Sequence, residues 1–92
     1  MTTSPSTTAI KAPFGRIRVD DTTSSELMLL VDHELAAADR IRSEWAIRGQ
    51  TEMAHFYNLY MRRLRRVLRE LERTREEMGW SEVQLSELGQ RQ

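Results

Sequence analysis

The chain has 92 residues, fourteen basic against fourteen acidic side chains, and no cysteine. This length admits one domain at most, the missing cysteine excludes disulfides and thiolate metal sites, and a formal net charge of zero argues against a generic polyanion binder. The longest apolar run, Leu27 to Val31, is far short of the roughly 20 residues a membrane span needs. No arginine-then-apolar leader is present, so a cytoplasmic protein is expected with no membrane association.

Residues 1–22 open with Ser/Thr/Pro low complexity, carry both prolines and show no helical period, which reads as a disordered N-terminal tail. Within it, Ile10, Phe14, Ile17 and Val19 are interleaved with Lys11, Arg16 and Arg18. The Ile17/Val19 alternation is that of a short strand able to add to a partner's sheet edge, or else of a plain linker. Residues 23–92 are the helical domain. Without the tail only about seventy residues remain to build a core, so a second copy or a partner is expected to supply buried surface.

Thr23-Ser24-Ser25-Glu26 fits a capping box and starts a helix over about 24–47. Gly49 can take the left-handed conformation that ends helices, and Thr51 stands as the next N-cap. A second helix over about 52–78 has no Gly or Pro inside and closes at Gly79; the short loop makes the two antiparallel. Ser81 with Gln84 repeats the capping-box spacing and predicts a short third helix ending at Gly89.

In the second helix Met53, Tyr57, Tyr60, Leu64, Val67, Leu71, Thr74 and Met78 alternate at four and three, a coiled-coil seam widened by Phe56, Met61 and Leu68. The first helix carries a matching stripe of Leu27, Val31, Leu35, Ala38, Ile41 and Trp45. Both stripes are broader than one neighbour covers. The fold class expected is therefore all-α, a hairpin that dimerises into an antiparallel four-helix bundle, with Val31, Leu35, Trp45, Tyr57, Tyr60, Leu64 and Leu71 as its core. Glu34 falls inside the first stripe, opposite Leu64 and near Tyr60, as a buried polar residue that sets register or switches with pH.

Charge is uneven. Arg62, Arg66, Arg69 and Arg73 line the face opposite the Leu64/Leu71 seam. Intrahelical acids, Glu70 after Arg66, Glu72 after Arg69, and Glu76 and Glu77 after Arg73, lace its C-terminal half, while the half from Met61 to Arg69 has none. Arg63 and Arg65 are placed to meet Asp32, Glu34 or Asp39 across the hairpin, leaving Arg62 and Arg66 available. Leu29, Ile47, Leu59, Trp80, Val83, Leu85 and Leu88 are apolar residues beyond what one hairpin hides, either covered by the last helix or forming a docking surface.

Glu52-Met-Ala-His55, with Glu44 across the loop, has the composition of a ferritin-like di-iron ligand set. On the helical wheel, however, His55 falls with Arg62 and Arg66 and points out of the bundle. His33 lies on an outer face, and neither histidine has a serine or second carboxylate beside it, so no enzyme, cofactor or metal is expected. The function expected is a small non-enzymatic interaction module, an adaptor, chaperone or regulator, acting as a homodimer. It would grip a larger protein partner through Arg62, Arg66, Arg69, Leu59 and Trp80. A nucleic-acid-binding hairpin dimer using the arginine stripe is the alternative, and a metal-binding bundle the third reading.

Overall fold

The computed structural model of the chain describes residues 6–12 and 15–86. Two strands, β1 (Thr8–Ala12) and β2 (Gly15–Val19), precede two long helices, α1 (Asp21–Ile47) and α2 (Thr51–Met78). The helices pack against each other as a hairpin, and the protein is mostly helical.

The segment expected as a disordered tail differs from that expectation over both strands, which pair antiparallel with Ile10 opposite Ile17 and Thr8 opposite Val19. Opposed residues share a face, so one side of this sheet presents Thr8, Ile10, Ile17 and Val19. Ile10 and Val19 are only 1% and 2% exposed. A two-stranded hairpin is marginal in water by itself; here its apolar side lies on the helices, β1 mainly on α2 and β2 more lightly on α1. Met1–Pro5, Pro13–Phe14 and Glu87–Gln92 lie outside the described residues, and with them the expectations for Phe14, Leu88 and Gly89.

α1 begins three residues earlier than its capping box suggests. Asp20 is the N-cap, its Oδ1 accepting from the Thr23 amide at 2.7 Å. A carboxylate is both a stronger acceptor than the Thr23 hydroxyl and favourable at the positive end of the helix dipole. Ser24 and Ser25 instead donate to the carbonyls of Asp21 and Thr22. At the other end Gly49, with φ of +77°, lets its amide reach the Ala46 carbonyl and the Gln50 amide the Trp45 carbonyl, satisfying the last turn. Thr51 is the first residue of α2 rather than its cap; Gln50 holds that place without a side-chain bond. Gly79, at φ +72°, ends α2 in the same way, the Trp80 amide donating to the Arg75 carbonyl at 2.9 Å.

The expected third helix is absent from residues 81–86, which are irregular. They form a strap against the hairpin, with Val83 and Leu85 packed on the core and the Ser86 hydroxyl and amide donating to Asp32 at 2.5 and 3.2 Å. An extended course explains the geometry. From the level of Asp21 to that of Asp32 a helix rises roughly 16 Å, and five extended residues span about the same distance.

The core consists of Ile10, Val19, Met28, Leu35, Ala38, Met61, Leu68 and Leu71, with Leu27, Val31, Tyr57, Tyr60, Leu64 and Val67 packed against it. Burial of each large member contributes roughly 1.5–3 kcal/mol. Every fully buried residue of α1 lies between Ser24 and Ala38, and every one of α2 between Met61 and Arg75. The stretch from Asp39 to Tyr60, with the loop in its middle, contains none. β2 runs straight into the start of α1 and spans at most about 17 Å, so the sheet lies at the closed end, and the other end of the hairpin is bare.

Candidate functional site

The bare end is strongly apolar. Ile47 is 86% exposed, Phe56 58%, Leu59 41% and Met53 38%, while Ile41, Trp45, Tyr57 and Tyr60 are half-buried. The line Met53, Tyr60, Val67, Thr74, each seven residues from the next, passes from exposed through half-buried to 7% exposed as it enters the covered half. The same seam is therefore core at one end and surface at the other. Edge-to-face contacts stiffen the aromatic cluster, Phe56 to Tyr57 at 5.3 Å and Tyr57 to Tyr60 at 6.4 Å, and the Arg48 guanidinium sits 5.6 Å from the Trp45 ring.

Leu30 of α1 is also 66% exposed. At the margin of the bare end the Tyr60 hydroxyl donates to Glu34 Oε1 at 2.9 Å, joining the two helices. Partial burial pushes the Tyr60 phenol up from its ordinary 10.0, and the bond to Glu34 and that carboxylate's charge push it further. Glu34 itself is exposed, which corrects its expected burial in the seam; its pairing with Tyr60 follows the register read from the sequence.

Of the residues expected as dimer and core positions, Leu35 and Leu71 are fully buried within the chain, and Val31, Tyr57, Tyr60 and Leu64 are partly buried against them. Trp45 is half-buried and belongs to the bare end. Arg62, Arg66, Arg69 and Leu59 are all exposed along the outer edge of α2. Trp80 is not brought to them: it stands beyond the far end of α2, roughly 30 Å from Leu59 by helical rise, half-buried against Arg75. The expected cross-hairpin pairs of Arg63 and Arg65 with acids of α1 are not formed among the described residues. Asp39 pairs with Arg42 at 2.8 Å, Asp32 accepts from Ser86, and Arg65 Nε is buried without a partner. On α2 itself Glu70 pairs forwards with Arg73, at 2.5 Å, rather than back with Arg66.

Sequence reading missed Arg75. The residue is 5% exposed and its guanidinium clasps two segments, the first turn of α1 and the strap after α2: Nη1 donates to the Asp21 carbonyl at 2.8 Å and the Ser24 hydroxyl at 2.6 Å, and Nη2 to the Ser81 carbonyl at 2.6 Å. The Asp21 carboxylate lies 2.8 Å from Nη1, and the Trp80 ring stacks at 5.5 Å. A cleft of about 550 Å3 opens beside it between Met28, Glu72, Glu76, Trp80 and Val83. The signal was available: Arg75 stands seven residues after Leu68 and fourteen after Met61, on the buried face.

Glu52 and His55 are exposed, and among the described residues no three His, Asp or Glu side chains converge to hold a metal ion. Among those residues no helix is long and apolar enough to cross a membrane. Searches of family models, curated proteins and solved structures return no match to this chain.

Proposed function

We propose that this protein is a non-enzymatic interaction module, an adaptor, chaperone or regulator. In this reading it pairs with a second copy through the bare end of the hairpin, forming an antiparallel four-helix bundle, and holds a larger protein. The observation that carries it is the stretch Asp39–Tyr60, which buries no residue completely yet presents Ile41, Trp45, Ile47, Met53, Phe56, Tyr57 and Tyr60. Apolar area of this kind, on the order of several hundred Å2 per copy, is what monomers cover by association.

A second copy suits the shape. The sheet thickens one end of the helix pair and leaves the other end one layer thinner, and packed layers of sheet or helix are each about 10 Å apart. A copy turned end for end lays its own bare helices in that step, and each aromatic cluster meets the partner's. Catalysis forms no part of this reading. The arginines of α2 also favour a second reading, nucleic-acid binding, and the two diverge on whether apolar or charge substitutions abolish assembly.

Light scattering of the full chain tests the proposal. A molar mass near twice the 10.8 kDa chain, independent of salt, is expected, with Phe56→Glu reducing it to the single chain at unchanged helix content. A single-chain mass for the unaltered protein at about 100 μM, well above the dissociation constants of specific complexes, would overturn it.

A further inference from the structure

The outer edge of α2 has a repeat that core packing does not use. His55, Leu59, Arg62, Arg66, Arg69 and Arg73 are spaced four, three, four, three and four, and all six are exposed. At about 100° per residue they lie nearly opposite Met61, Leu68 and Leu71, so the line faces away from α1 and from the apolar surface used for pairing. Alternation of four and three is the repeat of a seam that another helix follows.

Three observations define what such a helix must carry. Arg62, Arg66 and Arg69 make no hydrogen bond or ion pair among the described residues, whereas Arg73 is held by Glu70. No acid occurs on α2 between Glu52 and Glu70, so neighbouring guanidiniums repel one another unrelieved. Leu59, 41% exposed, gives the same line an apolar step toward its N-terminal end.

Resting on the interaction-module reading, we propose that this edge is the docking seam for an acidic amphipathic helix of the partner protein. Carboxylates at its four-three positions meet Arg62, Arg66 and Arg69, and an apolar residue meets Leu59. Guanidinium pairs with carboxylate through two parallel hydrogen bonds, and the geometry is more selective than a lysine's. A helix is favoured over a nucleic acid for two reasons. The basic window is bounded by Glu52 at one end and by Glu70, Glu72, Glu76 and Glu77 at the other, so it is roughly 27 Å long and a polyanion running past it meets like charge. No Phe, Tyr or Trp stands in the line to stack a base, and Leu59 offers nothing to a phosphate chain.

The experiment is fluorescence anisotropy with the full chain and two labelled probes. One is a synthetic helical peptide of about three heptads with glutamate at the seam positions and one leucine placed for Leu59. The other is a mixed-sequence 20-base-pair DNA duplex, about two helical turns long. The peptide is expected to bind, weakening at least tenfold between about 50 and 300 mM salt as exposed charges are screened. The variant Arg62→Glu with Arg66→Glu is expected to lose it and to gain the lysine counterpart of the same peptide. No peptide binding, tighter binding of the duplex, or unchanged binding by the charge-reversed variant would each overturn the proposal. Light scattering of the same samples keeps the two readings apart: a single-chain mass with peptide bound removes the self-pairing and leaves the seam, and a dimer that ignores the peptide does the reverse.

Discussion

Replacing Arg75 with methionine is a severe test of how the closed end is held. The guanidinium makes three hydrogen bonds, to Asp21, Ser24 and Ser81, at 2.6–2.8 Å from a side chain 5% exposed. Hydrogen bonds from a charged donor contribute about 1.5–3 kcal/mol each, so the set is worth roughly 6 kcal/mol. The ion pair adds little, because the Asp21 side chain is 57% exposed and solvent screens it. Against this, Nε is buried without a partner, which costs about 1–3 kcal/mol and is relieved when methionine fills the space. Water also reaches the Asp21 and Ser81 carbonyls once the guanidinium is gone. A loss of about 3 kcal/mol remains, or a fall in Tm of about 15 °C for a domain of this size. Calorimetry measures that fall, and amide exchange checks its origin, since the Ser86 amide bonded to Asp32 should lose protection as the strap loosens. A Tm within about 2 °C of the unaltered protein, with Ser86 protection intact, would refute the clasp.

Other consequences follow from the same contacts. Ile10→Ala should cost about 3 kcal/mol in urea unfolding because Ile10 is 1% exposed, whereas a residue of a free tail would cost nothing. Ultraviolet titration should place Tyr60 above its ordinary 10.0, and Glu34→Gln should bring it part of the way back, leaving the effect of burial. Because the folded value is raised, this tyrosine's contribution is complete below pH 10 and is lost as pH rises through the folded value. Asp20 behaves oppositely: the Thr23 amide holds its carboxyl below the ordinary 3.8, so its stabilisation is present above that value and lost as pH falls through the folded one. Asp20→Asn, which keeps a cap without the charge, should therefore fall behind the unaltered protein above pH 4, with the gap closing as pH falls through the folded value, as read by thermal melts.

Much of the fold is local and was legible. Seven-residue spacing from Met61 to Leu68 and unbroken helix-forming composition define α2, and Gly49 and Gly79 mark the helix ends by the conformation only glycine adopts freely. The Tyr60–Glu34 bond was foreshadowed because helical rise and a short loop set which residues lie level. What only the tertiary structure decided is non-local. Strands β1 and β2 are too short a pair to stand alone in water and persist because Ile10 and Val19 find apolar helix surface. The 81–86 segment reads as a helix by its caps, yet it is drawn out straight by Arg75 at one end and Asp32 at the other. Glu34 and Arg75 exchange expected places for the same reason. A wheel ranks faces by composition, but the sheet and strap choose which part of each face is covered, and they cover the end that holds Arg75 and leave Glu34 at the margin of the bare one.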